Sequence, residues 1–483
     1  MENINMEMII NGEKTDALDG QVIEVINPAT GELIDTVPAA AEKDLEAALD
    51  AAQRGTREWR QVVLYERVAM IRHFEQLLQQ KKQEIAQVMC METGKTLTSC
   101  IDEVDACGSI FETYCEKAKN FGGETLPLNS ENRVNGDIIF TVKEPLGVVA
   151  CIVPFNYPLE LYAHKVAPAL VTGNSVIVKP SSDTPLSAIM VTELLHKAGI
   201  PGNAVQVVTG SGSKVGNYLA KSEKVDAISV TGSVPVGIQT MENGAKNLKH
   251  VYLELGGNDP IIIFDDADVD RAVDETLLGR ASNAGQTCCG TKRMIVQNGI
   301  RETYTKKLIE ALKKLNIGDP MNEETDYGPL ISERAAVEVE EQIQKTVRQG
   351  AVLAYGGKRF DRTYFEPTVL TGVTADMDIA TEMEVFGPVF PIIGFDTLEE
   401  AVAIANAAPY GLSGGVMTSD MSTALKVATQ IETGTCVING CGNYRSAHLA
   451  FGGYKMTGLG REGATQTLEE YTHTKSIALK QLL

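Results

Sequence analysis

Apolar residues along this chain recur with two periods, and the change from one to the other marks its organisation. Near the start, Met8-Ile9-Ile10 followed by Asn11-Gly12 predicts a strand and a hairpin turn. A second short strand is expected over 22–26, closed by Asn27-Pro28-Ala29-Thr30-Gly31. Leu45, Ala48, Leu49 and Ala52 then fall at helical spacing and predict a helix over 42–54. Val68, Ile71, Phe74, Leu78, Ile85 and Val88 carry the same period over 64–91, with Thr93-Gly94 as its terminator. Another helix is expected from about 97 to 119.

The run 137–145 is extended and β-branched, amphipathic rather than core-like, and suits an edge ribbon or an assembly surface. From Gly147 the period alternates. Buried-type strands at 148–153, 175–178, 205–208 and 227–230 are separated by helices at 162–170, 186–198 and 214–220. This alternation predicts an α/β fold with a parallel, doubly wound sheet. A second α/β series follows, with strands at 260–264, 294–297, 351–354 and 389–394. Its helices are expected at 268–282, 302–315, 335–349, 398–406 and 421–431, the first opened by the capping acids around Asp268. The tail, 471–483, reads as one strand with no helix after it.

A length of 483 residues allows two to three domains. The net charge of −21 argues against a nucleic-acid partner, which needs a basic face, and leaves any anion site to local residues. Nine scattered cysteines without a CxxC pair do not make a disulfide framework, and the six histidines show no zinc spacing, so no metal is expected. Met1 to Asn5 lack a signal-like pattern and no apolar run reaches membrane-spanning length. The expectation is therefore a cytoplasmic protein with no membrane partner.

Three stretches carry candidate chemistry. Ala284-Gly285-Gln286-Thr287-Cys288-Cys289-Gly290 places two adjacent thiols among small residues, where backbone can approach a reacting carbonyl. Lys292 and Arg293 supply a basic neighbourhood that favours thiolate. The segment alone does not choose between Cys288 and Cys289. Two Gly-rich turns follow strands and open helices: Gly210-Ser211-Gly212-Ser213-Lys214-Val215-Gly216 and Thr231-Gly232-Ser233-Val234-Pro235-Val236-Gly237. The first is nearly a dinucleotide fingerprint with its third glycine one position late, and neither has the Lys-Ser/Thr ending of an ATP-binding loop. Both would aim backbone N–H groups at a phosphate.

Seven segments in order resemble the aldehyde dehydrogenase superfamily. They are Pro154-Phe155-Asn156-Tyr157-Pro158, Val178-Lys179-Pro180-Ser181-Ser182, Val230-Thr231-Gly232-Ser233, Leu253-Glu254-Leu255-Gly256-Gly257, Gly285-Gln286-Thr287-Cys288, Glu384-Val385-Phe386-Gly387-Pro388 and Phe451-Gly452-Gly453-Tyr454-Lys455. The resemblance implies a Rossmann-type cofactor domain (1–126 and 146–256), an α/β catalytic domain (257–456) and a small β oligomerisation ribbon (127–145 and 457–483). It also implies a homodimer or homotetramer.

The same resemblance assigns roles. Cys288 takes the nucleophile position, Asn156 supplies an oxyanion-hole amide, Glu254 is the base that activates the deacylating water, and Lys165 stands near the site. Glu254 favours hydrolysis over transfer to CoA, since the CoA-acylating branches generally lack it. For NAD or NADP, the implied contacts are Pro154, Phe155, Lys179, Ser181, Ser182, Gly212, Gly216, Thr231, Gly232, Ser233, Leu255, Glu384 and Phe386. Many NAD-preferring members carry glutamate where this chain has Ser182, so NADP acceptance is expected. The substrate is expected to be a small polar or anionic aldehyde, bounded by His164, Thr287, Arg445 and His448. The loop around Arg445 is similar to those of lactaldehyde, succinate semialdehyde and non-phosphorylating glyceraldehyde-3-phosphate dehydrogenases. Ala106, where phosphate-handling relatives carry arginine, weakens the last of these.

Overall fold

The computed structural model describes residues 6–481. Its first large sheet has five parallel strands in the spatial order Val205–Val207, Ser175–Lys179, Val148–Ile152, Ala227–Thr231 and His250–Glu254. Met8–Ile10 and Gly458–Leu459 close its two sides in antiparallel pairing, and Glu13–Thr15 completes the Met8–Ile10 hairpin. From Val148–Ile152 the chain winds first to one side and then, from Ala227–Thr231, to the other. The crevice above the C-terminal ends of these two strands is thus a topological switch point, where open α/β sheets bind their ligands. Pro154-Phe155-Asn156 and Thr231-Gly232-Ser233 leave the sheet on either side of it.

The second sheet runs Val352–Tyr355, Thr368–Val373, Val389–Phe395, Thr291–Gln297, Asp259–Ile263, Ser413–Met417 and Thr435–Ile438, parallel except at Val352–Tyr355. Three of its strands, Thr368–Val373, Ser413–Met417 and Thr435–Ile438, were not anticipated from hydrophobic pattern. Ser413–Met417 shows why: a Cβ at Gly415 would lie 2.2 Å from the Gly440 carbonyl oxygen, so close packing removes the apolar side chain that marks a strand.

The strand expected over 137–145 forms as Ile138–Pro145 and pairs along its whole length with Thr472–Leu479 in a separate two-stranded ribbon. Residues 1–5 and 482–483, which belong to the expected first domain and tail strand, lie outside the described residues. No helix among the described residues is long and apolar enough to cross a membrane.

Four helices cover one face of the first sheet. Leu64–Thr93 and Leu97–Ala118 pack through Phe74 and Phe111, whose ring centroids are 4.7 Å apart, and Pro158–Thr172 and Leu186–Lys197 lie beside them. Pro158–Thr172 starts four residues earlier than the hydrophobic pattern indicated, because Pro158 suits the first helical position. Its N-terminus is buried and takes its cap from elsewhere in the chain: Glu103 Oε1 accepts the N–H groups of Leu159 (2.8 Å) and Glu160 (3.1 Å). Glu103 is also paired with Lys95, both fully buried. Glu92 repeats the device on Leu186–Lys197, accepting from Leu186 (2.7 Å) and Ser187 (3.0 Å).

Removing one partner of a buried ion pair leaves an uncompensated charge. Glu103→Ala is therefore expected to lower the unfolding free energy by about 3–5 kcal/mol, read from urea denaturation. A loss below about 1 kcal/mol would show that the pair contributes no more than an exposed one.

Candidate active site

The thiol loop is built by strain and by one arginine. Val269–Arg280, capped by the Asp268 carboxylate, ends two residues before the expected Ser282. Asn283, Ala284 and Gly285 then take left-handed backbone angles in succession (φ 50°, 53° and 77°). A Cβ at Gly285 would lie 2.3 Å from the Gly387 carbonyl oxygen, so only glycine fits. Arg280 is fully buried and donates to the carbonyls of Val389 (2.8 Å), Gly285 (3.3 Å) and Val385 (2.8 Å). It thereby ties the thiol loop to the Glu384–Gly387 segment. Gln286 pins the loop further by accepting from the Ile331 N–H at 2.9 Å.

This turn sorts the two thiols. Cys289 is buried and donates weakly to Asn443 Oδ1 (3.5 Å), whereas Cys288 is half-buried and packs with Cys289, Leu412 and Phe451. The Cys289 thiol foremost, then burial, push the Cys288 thiol well above its ordinary range; Lys292 and Arg445 only partly offset them. Lys292 donates to the Cys288 carbonyl (2.5 Å) and lies 3.1 Å from Glu384. The expected help from Arg293 is corrected: its guanidinium turns into the core, donating to the carbonyls of Asn258, Ala380, Ile404 and Ala405.

Asn156 lies against the same loop. Its Nδ2 donates to the Gln286 carbonyl (3.0 Å), and its own carbonyl accepts from Asn283 Nδ2 (3.1 Å). One amide proton of Asn156 is thus engaged and one is left over. The Thr287 and Tyr157 hydroxyls approach to 3.5 Å.

Glu254 ends its strand fully buried, and neither carboxylate oxygen has a hydrogen-bond partner. Burial first, then the neighbouring Cys288 and Glu462, raise its pKa well above the carboxylate range. A cavity of about 20 Å³, enough for one water, is lined by Glu254, Lys165, Ser229 and Glu462 among others. Lys165 Nζ lies 2.8 Å from Glu462 Oε1 and 3.3 Å from Ser229 Oγ. Burial opposes ionisation of Glu462, but its cationic neighbours, Lys165 foremost, hold it down to about 2. Glu462 was missed from sequence. The signal available was Lys165 itself, whose charge on an otherwise apolar helix face requires a buried partner.

The expected substrate residues divide. Arg445 stacks 3.7 Å over the Phe451 ring and lies near Cys288. His164 is buried against the Tyr114 hydroxyl (3.5 Å), and burial pulls it down to about 3, leaving it neutral at physiological pH. His448 is exposed, with only its backbone N–H bonded, to Ser446. Of the two residues on this loop, Arg445 rather than His448 stands beside the thiol.

On the cofactor side, Lys179 is buried at a strand end and burial pulls it down to about 8. Ser181 and Ser182 are partly exposed beyond it, with the Ser181 hydroxyl accepting from the Asp183 N–H. The Ser182 hydroxyl donates to the Gly210 carbonyl (3.0 Å), so its one proton is already engaged. Gly212–Gly216 forms a π-helical turn in which Asn217 N–H reaches back to Gly212, and this absorbs the extra residue before the late third glycine. Of the second turn, Gly232 N–H is taken by the Glu254 carbonyl (3.0 Å), Thr231 Oγ1 is buried without a partner, and Ser233 precedes the helix Val234–Ala245. That removes Gly232 N–H from the phosphate-facing donors expected there. Leu255 packs beneath this helix at Gly237. Glu384 accepts from Gly257 N–H (3.0 Å), and Phe386 stands edge-on to Phe155 with centroids 6.1 Å apart; Pro154 is partly exposed just before it. No group of three or more His, Cys, Asp or Glu side chains among the described residues is placed to hold a metal.

A profile of the aldehyde dehydrogenase family matches residues 15–477. The chain belongs to this family. It is similar to the glutarate-semialdehyde dehydrogenase of Pseudomonas putida (39% identity, 97% of each chain). It is also similar to the NADP(+) succinate-semialdehyde dehydrogenase of Escherichia coli (38%; 98% of this chain, 97% of the relative). A 3-sulfolactaldehyde dehydrogenase of Pseudomonas putida is 37% identical over 99% of this chain and 97% of its own. Among solved structures, betaine aldehyde dehydrogenase of Staphylococcus aureus with NAD+ matches with a TM-score of 0.95 at 36% identity, over 99% of this chain and 95% of that one. The protein is therefore an NAD(P)-dependent aldehyde dehydrogenase with the α/β fold of that family.

The raised Cys288 pKa has a direct readout, because only thiolate is alkylated. Alkylation of Cys288 in the free dehydrogenase by iodoacetamide is expected to accelerate about ten-fold per pH unit still at pH 9, and Cys289→Ala to speed it at pH 8. A plateau below pH 8 would show that Lys292 and Arg445 outweigh burial.

Proposed function

We propose that this dehydrogenase oxidises a small aldehyde with a polar or anionic tail to the free acid, using NADP+ or NAD+. The observation that carries the reading is the juxtaposition of a half-buried thiol with a buried carboxyl whose two oxygens lack partners. The three relatives named by sequence act on semialdehydes or a sulfonated aldehyde, each bearing an anionic group away from the reacting carbon, whereas the betaine aldehyde of the similar solved structure bears a cation.

In this reading Cys288 attacks the aldehyde carbon as thiolate, forming a thiohemiacetal. Half-exposed Cys288 loses its proton to solvent before the attack, thiolate being the reacting form, and Glu254 is kept for the later step. The free amide proton of Asn156 and the Cys288 backbone N–H stabilise the developing oxyanion. A bound nicotinamide supplies the hydride acceptor that turns the thiohemiacetal into a thioester. Glu254 then deprotonates the water that hydrolyses the thioester. The Lys165–Glu462 ion pair lines the same cavity and sets the field around that water and Glu254.

The residues fit the cofactor. Lys179, a buried cation, and Thr231 Oγ1, a buried orphan, both stand at strand ends beside the switch point. Glu384 and Phe386 border the thiol loop and would hold the nicotinamide end. Because Ser182 has already donated its proton, NADP acceptance rests on the lack of a negative charge at that position rather than on a hydroxyl bond to the 2′-phosphate. The ribbon Ile138–Pro145/Thr472–Leu479 suits assembly into a homodimer or homotetramer.

NAD(P)H formation across an aldehyde panel, with and without CoA, tests the activity. Cys288→Ala is expected to abolish it. Glu254→Gln is expected to release about one equivalent of NAD(P)H and then slow by about 10²–10⁴, with an acyl adduct on Cys288 in the intact mass. Full turnover by Glu254→Gln, or a CoA requirement in the wild type, would overturn the hydrolytic route. Ser182→Glu is expected to shift the kcat/KM ratio from NADP toward NAD, and an unchanged NADP efficiency would remove Ser182 from the specificity argument.

A further inference from the structure

Arg445 is not a free cation. Its Nε lies 3.5 Å from Glu160 Oε1 and its Nη2 lies 3.3 Å from Glu462 Oε2. Glu462 also holds Lys165. Two cations and two carboxylates therefore balance beside Phe451, the ring that packs on Cys288 and Cys289. Within this balance the Nη1 of Arg445 is buried without a partner, so the guanidinium keeps an unspent donor.

The four groups differ in access. The Glu160 and Arg445 side chains keep 21% and 19% of their surface, whereas Lys165 keeps 1%. The Glu160–Arg445 pair is thus the more accessible of the two, since Glu462 keeps only 11%. The carboxylate of Glu160 also has no role in holding its helix. The cap there is Glu103, which takes the Glu160 backbone N–H, while the Glu160 side chain leans across to the Arg445 loop.

We propose that Glu160 is a specificity-determining residue that competes with the anionic tail of the substrate for Arg445. This rests on the reading of Cys288 as nucleophile and of Arg445 as the partner of the tail. An entering carboxylate or sulfonate meets the attraction of Arg445 reduced by a carboxylate of its own sign, and must push Glu160 aside to use the guanidinium fully. A neutral hydroxylated tail meets no such opposition. Glu160 thus sets how far the enzyme prefers anionic over neutral aldehydes. Replacing it with glutamine keeps its size and removes one negative charge, leaving the cluster with one net positive charge.

The test is the ratio of kcat/KM for succinic semialdehyde to kcat/KM for butanal, a ratio that cancels losses common to both substrates. Glu160→Gln is expected to raise it about ten-fold at low salt and less at high salt, as a charge effect requires. In an Arg445→Gln background the same substitution is expected to raise the ratio by clearly less than in the wild type, since only direct repulsion by Glu160 is then relieved. An unchanged or lower ratio in Glu160→Gln, or an equal rise without Arg445, overturns the proposal. A second measurement needs no turnover: protection of Cys288 from iodoacetamide by succinate, quantified by peptide mass. The half-protecting concentration is expected to fall about ten-fold in Glu160→Gln. Should the wild type oxidise no aldehyde, the proposed activity fails, and the labelling experiment alone decides whether Glu160 opposes an anion at Arg445.

Discussion

Three chain segments meet at Gly256-Gly257 with no space for a side chain. A Cβ at residue 256 would lie 2.0 Å from Glu384 Oε2, and one at residue 257 would lie 3.0 Å from the Cys288 carbonyl oxygen. A side chain at 256 would push the Glu384 carboxylate away, and one at 257 would crowd the Cys288 carbonyl. Glu254 stands immediately before them at the end of its strand. Gly257 N–H holds Glu384, and Lys292 links Glu384 to the Cys288 carbonyl. The Glu254 strand end, the thiol loop and Glu384 are therefore drawn together around the same pair of missing methyl groups.

Charges inside the protein are handled in two ways. Arg280 and Arg293 are buried without a salt bridge and satisfied by main-chain carbonyls, which makes them braces between loops rather than sources of field. Lys165, Glu462, Arg445 and Glu160 form a mutually compensating cluster instead. Glu254 belongs to neither group. With no partner on either oxygen it is the uncompensated member, and its raised proton affinity follows from that isolation.

Much of the architecture was legible from periodicity, because buried parallel strands and amphipathic helices leave different marks. The strands Val148–Ile152 and Ser175–Lys179 and the long helix Leu64–Thr93 were found within a few residues. Ser413–Met417 was not, since its glycines trade hydrophobic signal for close approach. At the site, the family's motifs pointed to Cys288, Asn156, Glu254 and Glu384, and the fold brings these residues together on loops and strand ends. Glu462 and Glu160 carry no motif. Their meaning comes from contacts with Lys165 and Arg445, and 297 residues separate Lys165 from Glu462. Arg293 misled for the same reason: adjacency in sequence to the thiols put it in the basic neighbourhood, whereas the alternation of its strand turns it into the core.

The ribbon formed by Ile138–Pro145 and Thr472–Leu479 joins points more than 300 residues apart, as the Lys143–Thr474 bond illustrates at a separation of 331. Closing so large a loop is entropically unfavourable until both sheets exist to hold its ends. During synthesis, Lys165 emerges long before Glu462 and must wait on a buried helix without its counter-charge. The first sheet, which also receives Gly458–Leu459 as its last strand, is in the same position. The Lys165–Glu462 pair and the last strand of the sheet are thus both completed by one late stretch of chain, and a chain cut short before Gly458 would leave an open sheet edge and an unpaired lysine behind Glu254.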